Sequence, residues 1–563
     1  MKKQIIVKNL RIPLTAPAEE LFGAARVRLS LSDDEFLSAA LCKRSIDARK
    51  RNGGQPTFVC SVLVECDISD KKLDKISAMG TDVEIVRREP LKAEYGSCAL
   101  TSRPIVVGFG PAGMFAALIL AENGYCPLVI ERGGDIEKRS AKVAEFIKTG
   151  RLDVSTNIQF GAGGAGTFSD GKLVTRINDS RCTYVLERFV EFGAPEEILW
   201  LAKPHVGTDR LLSVVEGIAS KICELGGEIL FDTCLTDVHT ENGRIKSVEL
   251  TSSASKENVP ADAVILAVGH SARDTYTMLA ERGFLLVPKP FSVGVRAEHL
   301  QEDIDAALYG NAADICDKSG KRILPPGEYS LSYREKQCGI SSDTARGVYS
   351  FCMCPGGEVM ASASEEGGVV TNGMSRYARD GRNANAAIAV SVFPEDVGGR
   401  WQDGIEFQRM LERRAYNTAD TGEHDYRAPV ETLGDFLDGK TSHFTEPGRV
   451  QPTYRNGTYT LCDMSSILPG FVTDMLKKGF ADFGRKMRGF DARDTVLTGV
   501  ETRTSSPVRI PRGDDLTAFA ASNLYPCGEG AGYAGGITSA AVDGINTAMA
   551  LMRVYAPIGD YLR

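Results

Sequence analysis

The chain has 563 residues, of which 43% are hydrophobic and 25% charged, and its formal net charge is −8. These are ordinary values for a soluble globular protein of roughly two to four domains, and the acidic balance argues against nucleic-acid binding by the whole protein. No run of about 18 apolar residues occurs, which argues against a secreted or membrane-spanning protein. The 14 cysteines match no disulfide or zinc spacing, so we expect a cytoplasmic protein without a bound metal.

Residues 1–96 precede the rest as a separate block, and their pattern predicts a small α+β domain of ferredoxin-like type. Apolar runs predict strands at 4–7, 58–64 and 83–86 and helices at 19–29 and 71–79. The densest basic stretches of this block are Lys43-Arg44 and Arg49-Lys50-Arg51. Two interpretations of these stretches remain open: a solvated helix face, which we favour, and a patch for RNA or an acidic partner.

Segment 103–132 has the order expected of a dinucleotide-binding unit. It contains a β-branched strand, a turn that fits G-x-G-x-x-G, a helix, and a second strand that ends in an acid, at 105–107, 108–113, 114–120 and 127–131. A glycine turn by itself is weak evidence, but this complete order within about 30 residues is specific. The sequence therefore predicts a parallel α/β sheet with a dinucleotide bound at this turn.

Each position of the turn has a physical role. Gly108 permits the tight turn, Gly110 lets the backbone approach a pyrophosphate, and Gly113 lets the helix pack closely on the strand. Pro111 suits the first turn of a helix, whose free N–H groups and positive dipole end bind phosphate. Glu131 accepts hydrogen bonds from ribose hydroxyls, which favours FAD or NAD over NADP. The predicted contacts of this unit are Gly108, Gly110, Pro111, Ala112, Gly113, Glu131 and Arg132.

A second glycine-rich segment, 159–173, contains five glycines between positions 161 and 171. Such a segment is neither a regular strand nor a helix. A bare flexible loop is one interpretation, but the flanking Phe160 and Phe168 and the polar residues favour an ordered loop at a ligand. Its predicted cofactor contacts are Gly163, Gly164, Gly166, Thr167, Ser169, Asp170 and Lys172. For Asp170 and Lys172, fixing of the loop is an equally favoured role.

The next stretch predicts a helix at 209–225 and a small β-meander built from 228–231, 234–240 and 245–250. The Asn-Gly turn at 242–243 supports the meander. A buried strand then ends in a glycine turn at 262–270, where Ala267 and Gly269 are predicted to lie near the cofactor.

From about residue 281 to 490 the composition shifts towards mixed strands and long loops, as in a substrate or cap domain inserted into the nucleotide fold. Segment 289–299 alternates apolar and polar residues, so Arg296 and Glu298 share one strand face. Arg296 and His299 are candidates for binding or protonating an anionic substrate, and an ion pair between Arg296 and Glu298 is the equally favoured alternative.

Cys352 and Cys354 share a face if their segment is extended. Three roles are open: packing of small soft side chains, which we favour; a dithiol relay, which a strained C-x-C disulfide disfavours; and half of a metal site, which lacks further ligands. All four residues, Arg296, His299, Cys352 and Cys354, are candidates for the catalytic site.

Near the end of the chain, a glycine-rich turn with one acid leads into a small-residue helix. The free N–H groups at the start of that helix can stabilise negative charge at the ligand, although a purely structural helix start is the alternative. The predicted contacts here are Gly528, Glu529, Gly536, Ile537 and Thr538.

Together these elements resemble the glutathione-reductase-type superfamily of FAD enzymes, which implies FAD rather than NAD. In that superfamily the first glycine turn and its acid hold ADP, and a second strand ending Ala-x-Gly, here Ala267-Val268-Gly269, crosses near them. A C-terminal glycine-acid motif, here Gly528-Glu529, holds the ribityl chain and the pyrimidine edge. Many relatives have Gly-Asp there, so the extra methylene of Glu529 puts the ribityl contact in doubt.

More closely, the segments GAGGAGTFSDGKL, KPFSVGVRAEH, FCMCPGG and NGMS resemble a bacterial family of poorly characterised FAD-dependent dehydrogenases. This resemblance covers nearly the whole chain. It implies an α/β fold with a Rossmann-like FAD-binding domain in two parts (97–280 and 491–563), an inserted α+β substrate domain (281–490) and the small N-terminal ferredoxin-like domain (1–96). It does not supply a substrate.

The sequence thus predicts an FAD-dependent oxidoreductase that performs two-electron transfer on a small organic substrate. The C-x₄-C pair of disulfide reductases and a second complete G-x-G-x-x-G unit are absent from the sequence. We therefore expect the electrons to pass to or from the substrate or an external donor or acceptor, with NAD(P)H as one candidate. The alternative is an FAD protein that acts on or with RNA through its basic N-terminal domain.

Overall fold

A computed structural model of the protein describes residues 2–49, 55–86, 91–335 and 345–558. The chain divides into two compact units. Unit 1 comprises Met1–Lys92, Pro195–His205 and Asp305–Gly327, and unit 2 comprises Ala93–Ala194, Val206–Ile304 and Glu328–Arg563. The sequence analysis had assigned the two later segments of unit 1 to the FAD-binding and substrate domains.

Unit 1 is built on a four-stranded antiparallel sheet with two helices. Its elements in order are β1 (Lys2–Pro13), α1 (Ala18–Arg28), β2 (Phe36–Asp47), β3 (Thr57–Asp67), α2 (Asp70–Ser77) and β4 (Val83–Ile85). The strand order β2-β3-β1-β4 with this element order is the ferredoxin-like arrangement. The sequence analysis missed β2 because β2 is an edge strand without a fully buried residue and with two bulges, so it shows no clear apolar alternation.

Lys43 and Arg44 of the dense basic stretches lie on β2 and not on a helix, and Arg49 follows the end of that strand. Lys43 is exposed, and the Arg44 guanidinium lies 4.9 Å from the Phe58 ring centre and 4.5 Å from that of Trp200. Arg49 donates to Asp47 at 2.7 Å. Lys50 and Arg51 lie outside the described residues. The predicted helix face is therefore wrong, and two of the basic side chains already have partners within unit 1.

Unit 2 contains the remaining strands. They are β5 (Ile105–Val107), β6 (Leu128–Ile130), β7 (Glu228–Leu230), β8 (Thr233–Glu241), β9 (Arg244–Ser252), β10 (Lys256–Pro260), β11 (Val264–Leu266), β12 (Val287–Pro288), β13 (Phe291–Leu300), β14 (Ser332–Arg334), β15 (Gly347–Cys354), β16 (Glu358–Ala361), β17 (Thr371–Met374), β18 (Asn383–Val392), β19 (Ala428–Thr432), β20 (Tyr459–Leu461), β21 (Val496–Glu501), β22 (Val508–Arg509) and β23 (Leu524–Pro526).

The further helices are α3 (Pro111–Glu122), α4 (Ile136–Thr149), α5 (Arg181–Glu191), α6 (Thr208–Glu224), α7 (Arg273–Glu281), α8 (Gln301–Tyr309), α9 (Pro394–Val397), α10 (Trp401–Ala419), α11 (Leu433–Asp438), α12 (Met464–Ile467), α13 (Gly470–Lys486) and α14 (Ile537–Val554). Short 3₁₀ helices occur at Ala165–Phe168, Glu196–Leu199, Gly310–Asp314 and Tyr454–Asn456. Among the described residues, no helix combines the length and the apolar content needed to cross a membrane.

The predicted parallel α/β sheet is confirmed. Five strands pair in parallel in the order β23-β11-β5-β6-β7, with β5 at the centre. The central strands are fully buried and rich in Val and Ile, as strands covered on both faces must be. Strand β7 belongs to this sheet, so its assignment to the meander was wrong: helix α6 carries the chain back to pair β7 with β6, and the meander consists of β8, β9 and β10.

A second large sheet has seven strands in the order β14-β15-β18-β13-β21-β19-β20. Strand β13 lies at its centre, between β18 and β21, and all ten of its residues are buried. Both faces of β13 are therefore covered by protein. Residues of β13 an even number apart share a face and those an odd number apart do not, which fixes where Arg296 and His299 lie.

Helices α3 and α14 pack through a glycine. A Cβ added to Gly544 would lie 2.0 Å from the Ala112 carbonyl oxygen. We expect Gly544→Ala to force these helices apart, lower the free energy of unfolding by about 1–3 kcal/mol and reduce the amount of bound flavin. Thermal unfolding and absorbance near 450 nm measure these effects.

Gly23→Ala is the matched control, because a Cβ at this site in α1 meets nothing within 4 Å. Replacing glycine in a helix interior should raise stability by up to about 1 kcal/mol. Equal stability of the two variants would contradict the packing argument.

Candidate functional site

Unit 2 contains a long cavity of about 350 Å³ that begins at the glycine turn after β5 and extends to the inner end of β15. One end is lined by the turn, by the acid after β6 and by β8. The other end is lined by β15, β17 and β21. The glycine-rich loop and the start of α14 lie beside the turn, because a Cβ at Gly166 would be 3.0 Å from Ile537 and 3.7 Å from Pro111. Its wall includes Gly108, Gly110, Glu131, Arg132, Phe160, Gly164, Lys172, Cys234, Ala267, Cys352, Asn372, Glu501, Glu529 and Ile537.

The glycine turn is held by backbone contacts that leave no room for a side chain. A Cβ at Gly113 would lie 1.8 Å from the Gly108 carbonyl oxygen, and one at Gly108 would lie 2.5 Å from that of Ala267. At Gly110, in contrast, the nearest atom to an added Cβ is 3.7 Å away, on Gly164. The turn is therefore tight against the protein and open on the side of the cavity, where the first N–H groups of α3 have no partner within the helix.

Glu131 lies at the end of β6 and is 5% exposed. Its carboxylate accepts from the backbone N–H groups of Phe109 (2.8 Å), Gly133 (3.0 Å) and Gly161 (2.9 Å). The acid therefore joins the glycine turn to the glycine-rich loop. A carboxylate has about four acceptor positions, so it retains capacity for a ligand hydroxyl in the cavity that it lines.

Arg132 follows this acid and spans the wall of the cavity. Its guanidinium lies 4.5 Å from the centre of the Phe160 ring and donates to Asp274 at 2.9 Å. A planar cation stacked on a ring is held in one orientation, so Arg132 and Phe160 form a flat, fixed surface at this end.

The glycine-rich loop is ordered by Arg139, a residue of α4 that the sequence analysis did not identify. Its buried guanidinium donates to the carbonyl oxygens of Asn157, Ile158 and Gly164, each at 2.9 Å. Burial lowers the pKa of Arg139 to about 10. A guanidinium has five N–H donors, and here they bind several carbonyl oxygens of one loop. The structure therefore favours an ordered loop over a bare flexible one.

Asp170 and Lys172 take part in a charge cluster at the far end of the loop. Asp170 forms a two-point ion pair with Arg379, whose Nε lies 2.9 Å from Oδ1. The ammonium of Lys172 lies 3.3 Å from Glu328 and also lines the cavity. Asp170 therefore fixes the loop, whereas Lys172 presents a positive charge to the ligand space.

The C-terminal motif meets the cavity at Glu529 and at the start of α14. Burial raises the pKa of Glu529 to about 7, and Nε2 of His270 lies 3.9 Å from its carboxylate. Burial lowers the pKa of His270 to about 3, so this ring is neutral. Gly528 donates to Asp543 at 2.7 Å, and Thr538 donates to the Leu173 carbonyl at 2.8 Å.

Sixteen of the predicted cofactor residues line the cavity, namely Gly108, Gly110, Pro111, Ala112, Glu131, Arg132, Gly164, Gly166, Ser169, Asp170, Lys172, Ala267, Gly269, Glu529, Gly536 and Ile537. Five others lie behind its wall, where they allow close packing or bond to the backbone: Gly113, Gly163, Thr167, Gly528 and Thr538. Their direct contact with a ligand stays a prediction.

Of the four predicted catalytic residues, Cys352 lines the cavity. Arg296 lies one layer behind it, fully buried, and donates to Glu501 (2.8 Å), to the Cys352 carbonyl (2.9 Å) and to Asn372 (3.2 Å). Cys354 is buried beside them. The predicted ion pair with Glu298 is wrong: Arg296 pairs with Glu501, and Glu298 accepts from Asn383 and Thr453.

His299 lies on the other face of β13. Its Nε2 is 2.8 Å from the Phe490 carbonyl, and its ring packs on that of Phe490 at 4.6 Å. His299 stands three positions after Arg296, and an odd spacing sends side chains to opposite faces of a strand. The structure therefore does not bring these two candidates together.

Several wall residues escaped the sequence analysis, among them Phe351, Asn372, Glu501, Arg503 and Thr504. Arg503 and Arg273 both contact the buried Glu412, at 2.9 Å each. Burial by itself would raise the pKa of Glu412, but the two guanidinium groups hold it well below its usual range. No local motif marks Glu501, Arg503 or Thr504. Phe351 and Asn372 lie within the segments FCMCPGG and NGMS but were not identified as site residues.

These observations fit FAD. Two helices, α3 and α14, begin at the wall of one cavity, and each start offers free N–H groups and a positive dipole end. The open side of Gly110 admits a pyrophosphate, whereas a side chain there would fill that space. An acid, Glu131, stands where an adenosine ribose would be bound.

Comparison with known proteins also indicates FAD. Residues 290–504 match the family model described as "FAD-dependent protein, C-terminal domain-like". An uncharacterised protein of Clostridium beijerinckii is 44% identical over 546 residues, which cover 97% of this chain and 98% of the relative. FAD is thus the cofactor of this protein.

The chain also matches solved structures, at low identity and low TM-score. A geranylgeranyl bacteriochlorophyll reductase-like protein from Thermoplasma acidophilum is 13% identical, with 81% of this chain and 77% of that one covered and a TM-score of 0.32. A glycerol-3-phosphate dehydrogenase from Bacillus halodurans, complexed with FAD, is 10% identical, with 82% and 66% covered and a TM-score of 0.32.

The variant Gly110→Val tests whether the glycine turn binds the pyrophosphate of FAD. The added side chain enters open space, so we expect the protein to fold, but it occupies the position of the pyrophosphate and should give colourless protein. Absorbance near 450 nm and thermal unfolding measure the two effects. Gly113→Ala is the contrast: its Cβ would overlap the Gly108 carbonyl, so it should lose fold and flavin together. A yellow Gly110→Val protein would contradict this placement.

From the raised pKa of Glu529 we predict that the stability of the apoprotein depends on pH. Because its pKa is raised from 4.5 to about 7 in the folded state, the folded protein binds more protons than the unfolded chain between these values. The free energy of unfolding should therefore fall as pH rises from 4.5 towards 7. Glu529→Gln should reduce this slope when denaturant unfolding is measured across the range, and an unchanged slope would assign it to other groups.

Proposed function

We propose, on the premise that this chain belongs to the same protein family as its Clostridium beijerinckii relative and contains an FAD-dependent domain, that it is an oxidoreductase. In this proposal it transfers two electrons between FAD and a small organic substrate. We also propose the finer placement among bacterial FAD-dependent dehydrogenases of the glutathione-reductase-type superfamily, which rests on the glycine turn, the acid at Glu131 and the Gly528-Glu529 motif.

The observation that carries this proposal is the different character of the two ends of the cavity. The end at Gly110 and Glu131 offers backbone N–H groups and an acid, which suit a nucleotide. The end at Lys172, Cys352 and Asn372 offers a cation, a thiol and an amide, which suit a small polar molecule. A site with both ends holds a cofactor and presents a substrate to it.

FAD, when bound, supplies the two-electron chemistry. The residues of this chain bind and orient the reactants. The start of α14 at Ile537 stabilises negative charge through its free N–H groups. Oδ1 of Asn372 accepts from Arg296 (3.2 Å) and from the N–H of Gly373 (2.8 Å), so the amide nitrogen is the end available to a ligand. Lys172 provides a charge for a polar or anionic substrate.

The electron donor or acceptor is proposed to be external, with NAD(P)H as a candidate. The alternative function is that of an FAD protein that acts on or with RNA through its N-terminal domain. Arg44 is stacked between Phe58 and Trp200, and Arg49 is paired with Asp47, so these described residues of unit 1 give it no support.

Anaerobic bleaching of the flavin tests the function. Purified yellow protein is mixed with NADH, NADPH or fractionated metabolites, and the loss of absorbance near 450 nm is followed. We expect at least one reductant to bleach the flavin in a saturable way. Dithionite serves as the control that the flavin can be reduced. The proposal would be contradicted if dithionite bleached the flavin but none of these compounds reduced it and none reoxidised its reduced form.

Lys172→Gln tests the substrate end. We expect FAD to remain bound and the second-order rate constant for flavin reduction to fall by about tenfold or more, because a hydrogen bond to a charged group contributes about 1.5–3 kcal/mol. Lys256→Gln is the control, since Lys256 is 65% exposed and pairs with Glu249 away from the cavity. Equal rate constants in both variants would remove Lys172 from the site.

A further inference from the structure

Two cysteines lie at the substrate end of the cavity in unequal surroundings. Cys352 is partly exposed and lines the cavity, whereas Cys354 is buried behind it. The pairing of β15 with β18 is irregular between Phe351 and Cys354, so the two thiols do not follow the regular spacing of a strand. Sγ of Cys354 lies 3.2 Å from the carbonyl oxygen of Cys352.

Positive groups lie close to this pair from two directions. Arg296 of β13 donates to the Cys352 carbonyl at 2.9 Å, and Lys172 lines the same part of the cavity. The acids that face the thiol are Glu501, which is paired with Arg296 at 2.8 Å, and Glu529. Lys172 and Arg296 are themselves paired with Glu328 and Glu501. Their charges nevertheless favour a thiolate at Cys352, as cations beside reactive cysteines do.

The cysteine pair is tightly packed against its neighbours. A Cβ at Gly373 would lie 2.4 Å from Nη1 of Arg296 and 2.9 Å from Sγ of Cys354. Gly373 therefore lets the guanidinium and the buried thiol approach each other. Packing of small side chains accounts for the buried Cys354, but it does not account for Cys352, which is partly exposed and lines the cavity.

We propose that Cys352 is a nucleophilic thiol of the substrate end and that it attacks a soft electrophile. In this proposal Cys354 is the positioning residue, because its thiol donates to the backbone carbonyl of Cys352 at 3.2 Å. This inference rests on the proposed function only for the identity of the cavity as the substrate site. The electrophile is a sulfur atom of a disulfide or a carbon atom with a leaving group, since a thiolate attacks both by the same chemistry.

The step balances without an added oxidant. The thiolate of Cys352 donates an electron pair to the electrophilic atom, and a new S–S or S–C bond forms. The bond to the leaving group breaks, and that group departs with its electron pair, as a thiolate from a disulfide or as a halide from an alkyl halide. In the disulfide case Cys352 is oxidised to a mixed disulfide while one half of the disulfide is reduced to a thiol.

The acidity of the pair agrees with this assignment. Hydrogen bonding with Cys354 lowers the pKa of Cys352 to about 7, against the effect of burial, and Arg296 and Lys172 act in the same direction. Hydrogen bonding with Cys352 and burial raise the pKa of Cys354 well above its usual value. The cavity-facing thiol is thus the one that ionises first.

Labelling of the FAD-loaded protein tests the proposal. Rates of modification by iodoacetamide and by 5,5′-dithiobis(2-nitrobenzoic acid) are measured for each cysteine by mass spectrometry between about pH 5.5 and 9.5. The exposed Cys98, Cys223 and Cys316 serve as internal controls. We expect the labelling of Cys352 to reach half its maximum near pH 7, whereas that of exposed thiols rises until about pH 8.5 or above.

At pH 7 the larger thiolate fraction is partly offset by the lower nucleophilicity of a more acidic thiol, so Cys352 should react about threefold faster than an exposed cysteine. Reaction with both reagents or with either one supports the proposal, and a preference for one identifies sulfur or carbon as the electrophile. No labelling of Cys352, or a pH profile equal to that of Cys98, would overturn it.

Two variants isolate the role of Cys354. Cys354→Ala removes the hydrogen-bond donor and should move the midpoint of Cys352 labelling to higher pH, whereas Cys354→Ser keeps a donor and should restore most of the shift. Flavin content and thermal unfolding verify that both variants are folded. Identical midpoints in all three proteins would overturn the positioning role. Because labelling does not require turnover, it succeeds or fails independently of the flavin-reduction assay.

Discussion

The cavity depends on how closely other backbone segments approach the first turn of α3. A Cβ at Gly113 would meet the Gly108 carbonyl at 1.8 Å, one at Gly544 would meet the Ala112 carbonyl at 2.0 Å, and one at Gly164 would meet the Gly110 Cα at 2.8 Å. These contacts bring the start of α3, the glycine-rich loop and α14 to one place. Interiors are close-packed and do not absorb added atoms freely, so the position of each segment fixes the others.

Buried charges hold the wall on the other side. Arg296 with Glu501, Asp170 with Arg379, and Glu412 with Arg273 and Arg503 are each buried and hydrogen-bonded at two or more points. Removing one member of such a pair leaves an uncompensated buried charge, which costs about 3–5 kcal/mol. Arg296 therefore supports Cys352, Asn372 and Glu501 from behind, and its loss would disturb the fold together with the site.

The two parts of unit 2 that line the cavity contribute different kinds of group to it. The Rossmann-type half contributes backbone N–H groups, Glu131 and Arg132, whereas the seven-stranded sheet contributes side chains through β15, β17 and β21. Sites built on strands hold their side chains more precisely than sites on loops. A cofactor gripped mainly through backbone tolerates changes at the substrate end, where Lys172, Cys352 and Asn372 lie.

The sequence by itself determined the nucleotide turn, the acid at Glu131, the glycine-rich loop and the start of α14, because each is a local pattern in which spacing dictates geometry. Only the tertiary structure decided that Glu501 pairs with Arg296, that Arg139 orders the loop, and that Arg503 and Asn372 reach the wall. These partners come from distant parts of the chain and meet through strand pairing and charge burial, which leave no local pattern. The odd spacing from Arg296 places His299 on the opposite face of β13. Only the tertiary structure showed that both faces are buried, so that the two side chains lie in different surroundings.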